Sequence, residues 1–375
     1  MRKKLTDMCT IQYGYAFDSK EFTDNSNFPQ LVRIRDVKRG YSETFFRGKY
    51  SLEYIIHTGD LLIGMDGEFN IARWRSGDAL LNQRVCKVTV KEDVDEEYLR
   101  FSLSRALKQI ENRTSFVTVK HLSTKELNSL ELECPNIQKQ KEISDRLVKI
   151  EEIISLRQQQ LAKLDELVKA RFVEMFGDVI HNDKKWKEYR FSDITSSRLG
   201  KMLDAKQQTG KHSFPYLANA NVQWFRFETN NLNRMDFNEA EQVEFSLKDG
   251  DLLVCEGGEI GRCAVWHNQV QSCYFQKALH RVRCNQEIIL PDYLAWWFKF
   301  NCENNGFAAI EGAKATIAHL PGAKLKQLLV VVPPIERQYR FVDFIEQTDV
   351  VKVTVQKSLE QMETLKKALM QQYFG

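Results

Sequence analysis

Residues 135–177, PNIQKQKEISDRLVKIEEIISLRQQQLAKLDELVKARFVEMFG, decide the fold of this 375-residue chain. Apolar side chains recur in this segment at alternating spacings of four and three residues, and Gln, Lys, Arg and Glu fill the other positions. This alternation is the heptad pattern of a coiled-coil seam, and neither Gly nor Pro occurs between Gln138 and Phe176. At 1.5 Å per residue the predicted helix is about 60 Å long. The seam residues are Ile143, Leu147, Ile150, Ile154, Leu161, Leu164 and Val168, with Arg157 in one seam position.

The same helix occurs a second time, 198 residues further along the chain. Pro135-Asn136-Ile137 corresponds to Pro333-Pro334-Ile335, and Phe176-Gly177 corresponds to Phe374-Gly375. Proline is tolerated at a helix start and glycine commonly follows a helix end, so these residues mark the boundaries. Two such helices in one chain are expected to pack on each other. The second seam contains Phe341, Ile345, Val355, Leu359 and Met362, weakened by Thr348 and Lys352.

The residues before each helix are also repeated, but with a drifting offset. Phe28–Leu31 matches Phe214–Leu217 at an offset of 186, and Gly59–Ile63 matches Gly250–Val254 at 191. Surface loops of a globular domain tolerate insertions, whereas a long helix in a packed seam does not. Each half is therefore predicted to be a variable globular part followed by a rigid helix. The predicted division is 1–134 and 178–332 for the globular parts, with 135–177 and 333–375 for the helices.

The globular parts mix strand-like and helix-like segments. Asp60–Ile63, Asp251–Val254 and Leu328–Val332 are short, apolar runs typical of buried strands. Glu96–Asn112 and Pro291–Asn304 have helical spacing. The fold class predicted from these patterns is α+β, a tandem repeat of two globular parts with two long helices.

Composition and charge exclude several classes of protein. The 54 Lys and Arg exceed the 51 Asp and Glu by only three, so a nucleic-acid surface must come from local clustering. No apolar run approaches the ~18–20 residues that span a bilayer, and the basic start lacks the apolar region of a secretory signal. We expect a cytoplasmic protein that is not in a membrane. The eight cysteines form no C-x₂-C pair and are expected to be small buried side chains without zinc or a disulfide.

The sequence contains no convincing catalytic constellation. Gly210-Lys211-His212-Ser213 lacks the first glycine of a phosphate-binding loop, since Ala205 occupies that position. Gly257–Gly261 is glycine-rich, but its counterpart Asp66–Asn70 keeps one glycine, which favours a tight turn over a dinucleotide site. No Asn-Pro-Pro or Asp-Pro-Pro of the amino-methyltransferase type is present. The residues alone therefore give no support for a catalytic site.

Two similar but non-identical modules on a paired-helix spacer suit a partner with two separated sites. Duplex DNA is such a partner, because the spacing of its half-sites then follows from the spacer length.

The chain resembles the specificity subunits of type I restriction-modification systems over its whole length. Gly14–Phe17, Phe28–Val37 and its partner Phe214–Val222 carry the resemblance, together with the two Gly-Asp-Leu-Leu strands. The turn Gly258–Arg262 fits as well, as do the two Pro-x-Ile-x-x-Gln segments and the two helices closing on Phe-Gly. No single motif is specific, but their duplicated order is.

The resemblance implies two target-recognition domains, each reading one half of a bipartite, asymmetric sequence in double-stranded DNA. It also implies an antiparallel coiled coil that sets the spacing and docks two modification (methyltransferase) subunits. Restriction subunits, which are ATP-dependent endonucleases and translocases, complete the implied complex. By the same resemblance this chain is not an enzyme and binds no cofactor, and S-adenosylmethionine, ATP and Mg are expected on the partner subunits.

Candidate DNA contacts are chosen by side-chain chemistry, because phosphates are bound by Lys, Arg or hydroxyls and bases by bidentate Arg, Asn or Gln. In the first globular part they are Arg33, Arg35, Lys38, Arg39, Asn70, Arg73, Arg75, Gln83, Arg84, Thr118 and Lys120. In the second they are Asn219, Asn221, Arg262, Gln276, Lys277, His280, Arg281, Lys314 and Thr316. Arg33 and Arg35 align with Asn219 and Asn221, an exchange expected of two domains that recognise different bases. The alternative is that these side chains point to solvent or pair with neighbours such as Asp36.

Three other residue sets have competing interpretations. His121 and His319 recur before a leucine, and each is either a structural turn or cap or a phosphate contact. Trp74 and Trp266 are expected in the core rather than as stacking platforms. Charge on the exposed helix faces is either a solvated surface or part of a docking site.

Other functions remain open at this level. A specificity subunit from a related system, whose partner fuses modification and cleavage, would have the same sequence features. A stand-alone methyltransferase or nuclease would require a cofactor site. A scaffold whose coil joins two protein-binding modules would show no sequence-selective DNA binding.

Overall fold

The structure is a computed structural model that describes residues 1–113, 120–204, 208–307 and 320–375. It forms two compact units, the first made of residues 1–159 and 355–375 and the second of residues 160–354. Thr118, Lys314, Thr316 and His319 lie outside the described residues. The predicted four-part division of the chain stays a prediction.

The first globular part is built mainly from short strands. Its strands are β1 (Arg2–Lys4), β2 (Cys9–Tyr13), β3 (Phe22–Thr23), β4 (Gln30–Val32), β5 (Phe45–Phe46), β6 (Ile55–Ile56), β7 (Leu61–Gly64), β8 (Asn70–Arg73), β9 (Ala79–Leu81), β10 (Val85–Val90) and β11 (Glu131–Glu133). Its helices are α1 (Leu5–Met8), α2 (Ile34–Arg39), α3 (Glu96–Arg113) and α4 (Thr124–Asn128), with 3₁₀ turns at Ser19–Glu21 and Leu52–Tyr54.

The second globular part follows the first long helix, α5 (Ile137–Phe176), and begins and ends with the same order of elements as the first part. Its strands are β12 (Lys187–Arg190), β13 (Thr195–Leu199), β14 (Ser213–Leu217), β15 (Val222–Gln223), β16 (Arg226–Phe227), β17 (Arg234–Asp236), β18 (Leu252–Cys255), β19 (Cys263–Val265), β20 (Tyr274–Phe275), β21 (Leu279–Cys284) and β22 (Leu329–Val332). Its helices are α6 (Phe191–Ile194), α7 (Glu239–Glu244), α8 (Pro291–Glu303) and α9 (Gly322–Gln327), a 3₁₀ turn spans Asn219–Asn221, and α10 (Ile335–Phe374) ends the chain.

Both globular parts have the same central sheet. The strand order is β2-β10-β7-β8 in the first and β13-β21-β18-β19 in the second, and all neighbours are antiparallel. The pairs β1–β11 and β12–β22 are also equivalent. Trp74 and Trp266 are each 1% exposed beside these sheets, which confirms their expected place in the core. The internal repeat of the sequence is thus a repeat of topology.

The outer sheets differ between the two parts. The first part has a five-stranded sheet in the order β3-β5-β4-β9-β6. The second has a three-stranded sheet, β17-β14-β20, and a separate hairpin, β15–β16. The offset between the two repeats changes along the sequence because the outer strands differ, whereas the central four-stranded sheet is the same in both parts.

The long helices pair antiparallel within each unit. In the first unit Glu151 accepts a hydrogen bond from Lys366 at 2.7 Å, and Arg146 donates to the hydroxyl of Tyr373 at 3.1 Å. In the second unit Lys352 pairs with Asp165 at 2.7 Å. Residue numbers fall along α5 as they rise along α10, so the predicted antiparallel helix pair is confirmed. The α+β class is confirmed as well.

The start of each long helix is held by a buried glutamine. The amide oxygen of Gln140 accepts the backbone N–H of Asp95 at 2.9 Å, and its amide nitrogen donates to the carbonyl of Pro135 at 2.8 Å. Gln338 makes the equivalent bonds to Leu290 and Pro333, at 2.9 and 2.8 Å. Both side chains are completely buried. These glutamines join each helix to the globular part that precedes it in the chain.

The end of each long helix packs on the globular part of the other repeat. Phe176, at the end of α5, packs on Tyr293 of α8 with ring centroids 4.9 Å apart in the second unit. Phe374, at the end of α10, packs on Tyr98 of α3 at 5.3 Å in the first unit. Each compact unit therefore combines one globular part with helix segments from both repeats.

Candidate nucleic-acid interface

The candidate site lies at one end of each central sheet. In the first part β7 ends at Gly64 opposite Val85, the first residue of β10. The backbone N–H of Met65 donates to the carbonyl of Arg84 at 2.9 Å and closes this β7–β10 end. In the second part the N–H of Glu256 donates to the carbonyl of Ala278 at 2.9 Å and closes the β18–β21 end. The two ends are equivalent in backbone structure.

Both ends contain a non-glycine residue in the left-handed backbone region. Arg84 has a φ of 70° and Ala278 a φ of 89°. This conformation is unfavourable for residues with a Cβ and persists where the surrounding structure imposes it. The turn geometry is thus retained in both repeats although the side chain changes from Arg to Ala.

Asp66, Arg84 and His121 form a polar cluster at the β7–β10 end. Asp66 Oδ1 is 2.5 Å from His121 Nδ1, and Asp66 Oδ2 is 3.6 Å from Arg84 Nε. Arg84 Nη1 is 3.0 Å from His121 Nε2. Arg84 Nη1 is also 3.2 Å from His121 Nδ1, so it lies close to both ring nitrogens. When His121 is neutral with its proton on Nδ1, this N–H donates to Asp66. The Arg84 side chain nevertheless remains 49% exposed.

Further polar side chains surround this cluster. The backbone N–H of Gly67 donates to the carbonyl of Lys120 at 2.9 Å, which brings Lys120 to the same end, and its Nζ is 3.4 Å from Glu111. Lys38 of α2 pairs with Glu68 at 3.3 Å. Gln83 is exposed and makes no side-chain hydrogen bond to a described residue. The β7–β10 end thus presents the amide of Gln83 beside lysines that are paired with carboxylates.

The β18–β21 end presents different groups. Lys277 is exposed and forms no ion pair with a described residue. Arg262 donates from Nη2 to the carbonyl of Asn219 at 3.1 Å, and Asn219 Nδ2 donates to the carbonyl of Gly257 at 3.1 Å. The Asn219 Oδ1 is buried without a partner among the described residues. Gln276 is partly exposed beside Lys277.

The predicted alignment of Arg33 and Arg35 with Asn219 and Asn221 is wrong by one residue. Asp36 accepts the N–H of Arg33 at 2.9 Å, and Asn221 accepts the N–H of Ala218 at 2.9 Å, so Arg33 is equivalent to Ala218. The shared Phe-Pro-x-Leu sequence favours an alignment that differs by one residue from the structural one. The equivalent positions are defined by the backbone hydrogen bonds that cap each turn. Asn221 therefore caps a turn, as Asp36 does, and Arg33 is an exposed side chain.

Several other candidates are tied to neighbouring groups. Arg35 donates to the Thr44 hydroxyl at 3.3 Å, and Arg39 is 4.0 Å from Glu43. Asn70 donates to the carbonyl of Glu68 at 3.0 Å. Arg35 and Arg39 remain on the surface, whereas Asn70 Oδ1 is buried without a partner among the described residues. The role of all three in DNA binding stays a prediction.

Arg73 lies at the opposite end of the first sheet. Leu61 pairs with Arg73 while Gly64 pairs with Asn70, so Arg73 is about 10 Å from the β7–β10 end. Its guanidinium donates to Glu97 at 2.5 Å and to Glu96 at 3.2 Å. Burial alone lowers the pKa of Arg73, but the hydrogen bonds and charges of these carboxylates outweigh it and raise the pKa. The structure thus separates Arg73 from Arg84. Arg75 lies just after the end of β8, on the same side as Arg73.

His280 of β21 is buried, and the next residue, Arg281, is partly exposed. His280 is 2% exposed, its Nε2 is 3.2 Å from the carbonyl of Leu320, and burial lowers its pKa. Arg281 donates to the carbonyls of Glu244 and Ser246 at 2.9 and 2.7 Å. Burial, and then the charge of Arg283, lower the pKa of Arg281. His280 is therefore not available for contact, whereas the guanidinium of Arg281 is held by backbone carbonyls and its role in DNA binding stays a prediction.

Asp66 and Tyr15 were not among the predicted DNA contacts, and His121 was left open between a structural turn or cap and a phosphate contact. Tyr15 is 52% exposed and forms a backbone bridge to Asn82, beside Gln83. Its equivalent, Lys201, bridges to Gln276 in the second part. The Gly14–Phe17 segment in the sequence is the signal that could have identified this position.

Within the described ranges, no group of three or more His, Cys, Asp or Glu side chains is placed to hold a metal ion. In the same part of the chain, no helix combines the length and apolar character needed to cross a bilayer. Six of the eight cysteines are buried, and all eight are free thiols.

These features define a class of protein. It has two copies of one globular module and an antiparallel helix pair, and the equivalent sheet ends of the two modules have different side chains. Two regions of the chain, residues 1–166 and 183–363, match the family described as type I restriction modification DNA specificity domain. The chain belongs to this family, and its function is that of a DNA specificity subunit.

Known proteins agree with this assignment. The type I restriction enzyme EcoBI specificity subunit of Escherichia coli is 27% identical over 406 residues, covering 100% of this chain and 85% of the relative. The EcoKI specificity subunit of E. coli strain K12 is 23% identical over 58% of this chain and 49% of its own length. A crystal structure of a type I restriction-modification S subunit from M. genitalium has the same fold, with a TM-score of 0.59 at 13% identity over 100% of this chain and 96% of that one. A second structure, from work on complex assembly of the type I system, also has a TM-score of 0.59, at 14% identity over 100% of this chain and 97% of that one.

Proposed function

We propose that each globular part of this specificity subunit recognises one half of a bipartite, asymmetric DNA target. The observation that carries this proposal is the pair of equivalent sheet ends with unequal side chains. At matched backbone positions the first part has Gln83 and Arg84, and the second has Lys277 and Ala278. A shared backbone with different donors is what recognition of two different half-sites requires.

The antiparallel helix pair sets the gap between the half-sites and docks two modification subunits. Apolar side chains on the coil surface support the docking role, since Leu156 of α5 is 61% exposed and Val350 of α10 is 68% exposed. Restriction subunits then join the complex through these partners. Lone exposed apolar residues are common, but several on one coil favour a protein partner.

The subunit itself is non-catalytic and binds no cofactor. S-adenosylmethionine, ATP and Mg act on the partner subunits, as the family resemblance implies. The complex works in the cytoplasm, where it meets double-stranded DNA. With a net charge of +3 the free subunit binds DNA weakly, and the partners contribute most of the phosphate neutralisation.

The decisive experiment is co-expression with the modification subunit encoded beside this chain, in a host free of DNA methylation. Mapping of methylated adenines by single-molecule sequencing is expected to reveal a two-part motif with a fixed unspecified gap. Replacement of residues 178–332 by those of another family member is expected to change one half of the motif only. A stable complex without methylation would favour the scaffold hypothesis, and methylation by this chain alone would contradict the non-catalytic role.

A further inference from the structure

Arg84 is a side chain that is both held in place and open to a ligand. Asp66 and His121 contact its Nε and Nη1, and both lie within the same polar cluster. The backbone fixes its Cα in the left-handed region, so the direction of the side chain is set by the turn. A long, flexible side chain is thereby restricted before any ligand arrives.

The contacts of Arg84 leave one edge of its guanidinium free. A guanidinium has five N–H donors. In Arg84, Nε is 3.6 Å from Asp66 Oδ2, an ion-pair distance, and Nη1 is 3.0 and 3.2 Å from the two ring nitrogens of His121. Nη2 has no partner among the described residues, and the only such partner of Nη1 is His121. This edge is a planar fork with two parallel donors, which matches the N7 and O6 acceptors of guanine in the major groove.

The second globular part has no such group. Ala278 occupies the same left-handed position with a methyl side chain, and its neighbour Lys277 carries a single ammonium that lacks the fork. The equivalent turn is therefore built for a different contact in each repeat.

We infer that Arg84 reads a guanine in the half-site bound by the first globular part, with Asp66 and His121 as positioning residues. This inference rests on the proposed function and adds the base and the residue that recognises it. Because the second part has Ala278 at this position, the contact belongs to one half of the target alone.

The test uses the complex of this chain with its modification subunits and fluorescent duplexes that carry the mapped target. Each guanine of the two half-sites is replaced in turn by adenine, and binding is measured by fluorescence anisotropy. One guanine in one half-site is expected to weaken binding roughly 5- to 150-fold when replaced, which is the discrimination of a bidentate arginine contact. In the R84A variant this penalty is expected to disappear, and in R84K it is expected to become smaller, whereas the preferences in the other half-site remain.

The lysine variant separates base recognition from simple charge. Lys keeps the positive charge without the planar fork, so R84K is expected to retain overall affinity with a smaller guanine preference than the wild type. D66N is expected to reduce the guanine-over-adenine ratio while affinity for the other half-site is unchanged, a result that general unfolding would not produce. Arg47→Ala is the matched control, since Arg47 is an exposed arginine of the same part paired with Glu21.

Two outcomes would overturn the inference. One is an R84A complex that keeps every guanine preference of the wild type. The other is an equal loss of affinity for all sequences in R84A, which would make Arg84 a phosphate contact. A wild-type complex without any bipartite target would instead refute the proposed function, so the two failures are distinguishable.

Discussion

Gln338 provides the most direct test of how a long helix is joined to its globular part. Its side chain is completely buried, accepts the N–H of Leu290 at 2.9 Å, and donates to the carbonyls of Ile288 and Pro333 at 3.0 and 2.8 Å. The substitution Gln338→Ala removes all three bonds and leaves the backbone groups without partners. At about 0.5–1.5 kcal/mol per bond, the free energy of unfolding of the second unit should fall by about 2–4 kcal/mol.

Urea unfolding followed by tryptophan fluorescence measures this loss, because five of the six tryptophans lie within residues 160–354. Gln347→Ala is the control, since Gln347 is exposed on the same helix and its loss should change stability by less than about 0.5 kcal/mol. A Gln338→Ala protein as stable as the control would refute the anchoring argument.

Two further predictions concern the second and first units. His280 is buried and its pKa is lowered, so the His280 side chain binds a proton more readily in the unfolded chain than in the folded one. The contribution of His280 to stability is therefore present above the ordinary histidine pKa and is lost as pH falls. The urea midpoint of the second unit should therefore fall less between pH 7.5 and 5 in His280→Gln than in the wild type, and equal slopes would contradict this. Phe374→Ala removes the ring that packs on Tyr98 and should destabilise the first unit by about 1–3 kcal/mol. Hydrogen exchange should then accelerate in residues 96–113 but not in 291–303, and acceleration in both would show that the contact is not local.

Elements with strong local signals were predictable from the sequence. The seam of α5 and the helices α3 and α8 follow from apolar periodicity, and α3 and α8 differ from the predicted bounds by a single residue at one end. Gly177 ends α5 with a φ of 78°, as expected of a helix-terminating glycine. Each of these signals is local, because periodicity and capping act within a few residues.

The arrangement of the candidate site was only partly predictable. Arg73 and Arg84 have the same chemistry and lie near one turn in the sequence, yet the β7–β8 register places Arg73 against Glu97 and leaves Arg84 at the open end. His280 was a candidate by residue type, but it is enclosed beneath Leu320. Residue type predicts what a side chain can bind and not which way it points.

The sequence by itself determined the duplicated plan, the two long helices and the α+β class, because periodic burial and internal repetition are properties of residue order. Only the tertiary structure decided that Arg33 is equivalent to Ala218 and that Arg84 meets Asp66 and His121. Those relations depend on strand register and on contacts between residues up to 55 positions apart. Such contacts exist only after the sheet has formed, since hydrogen bonding between strands, rather than chain order, brings the groups together.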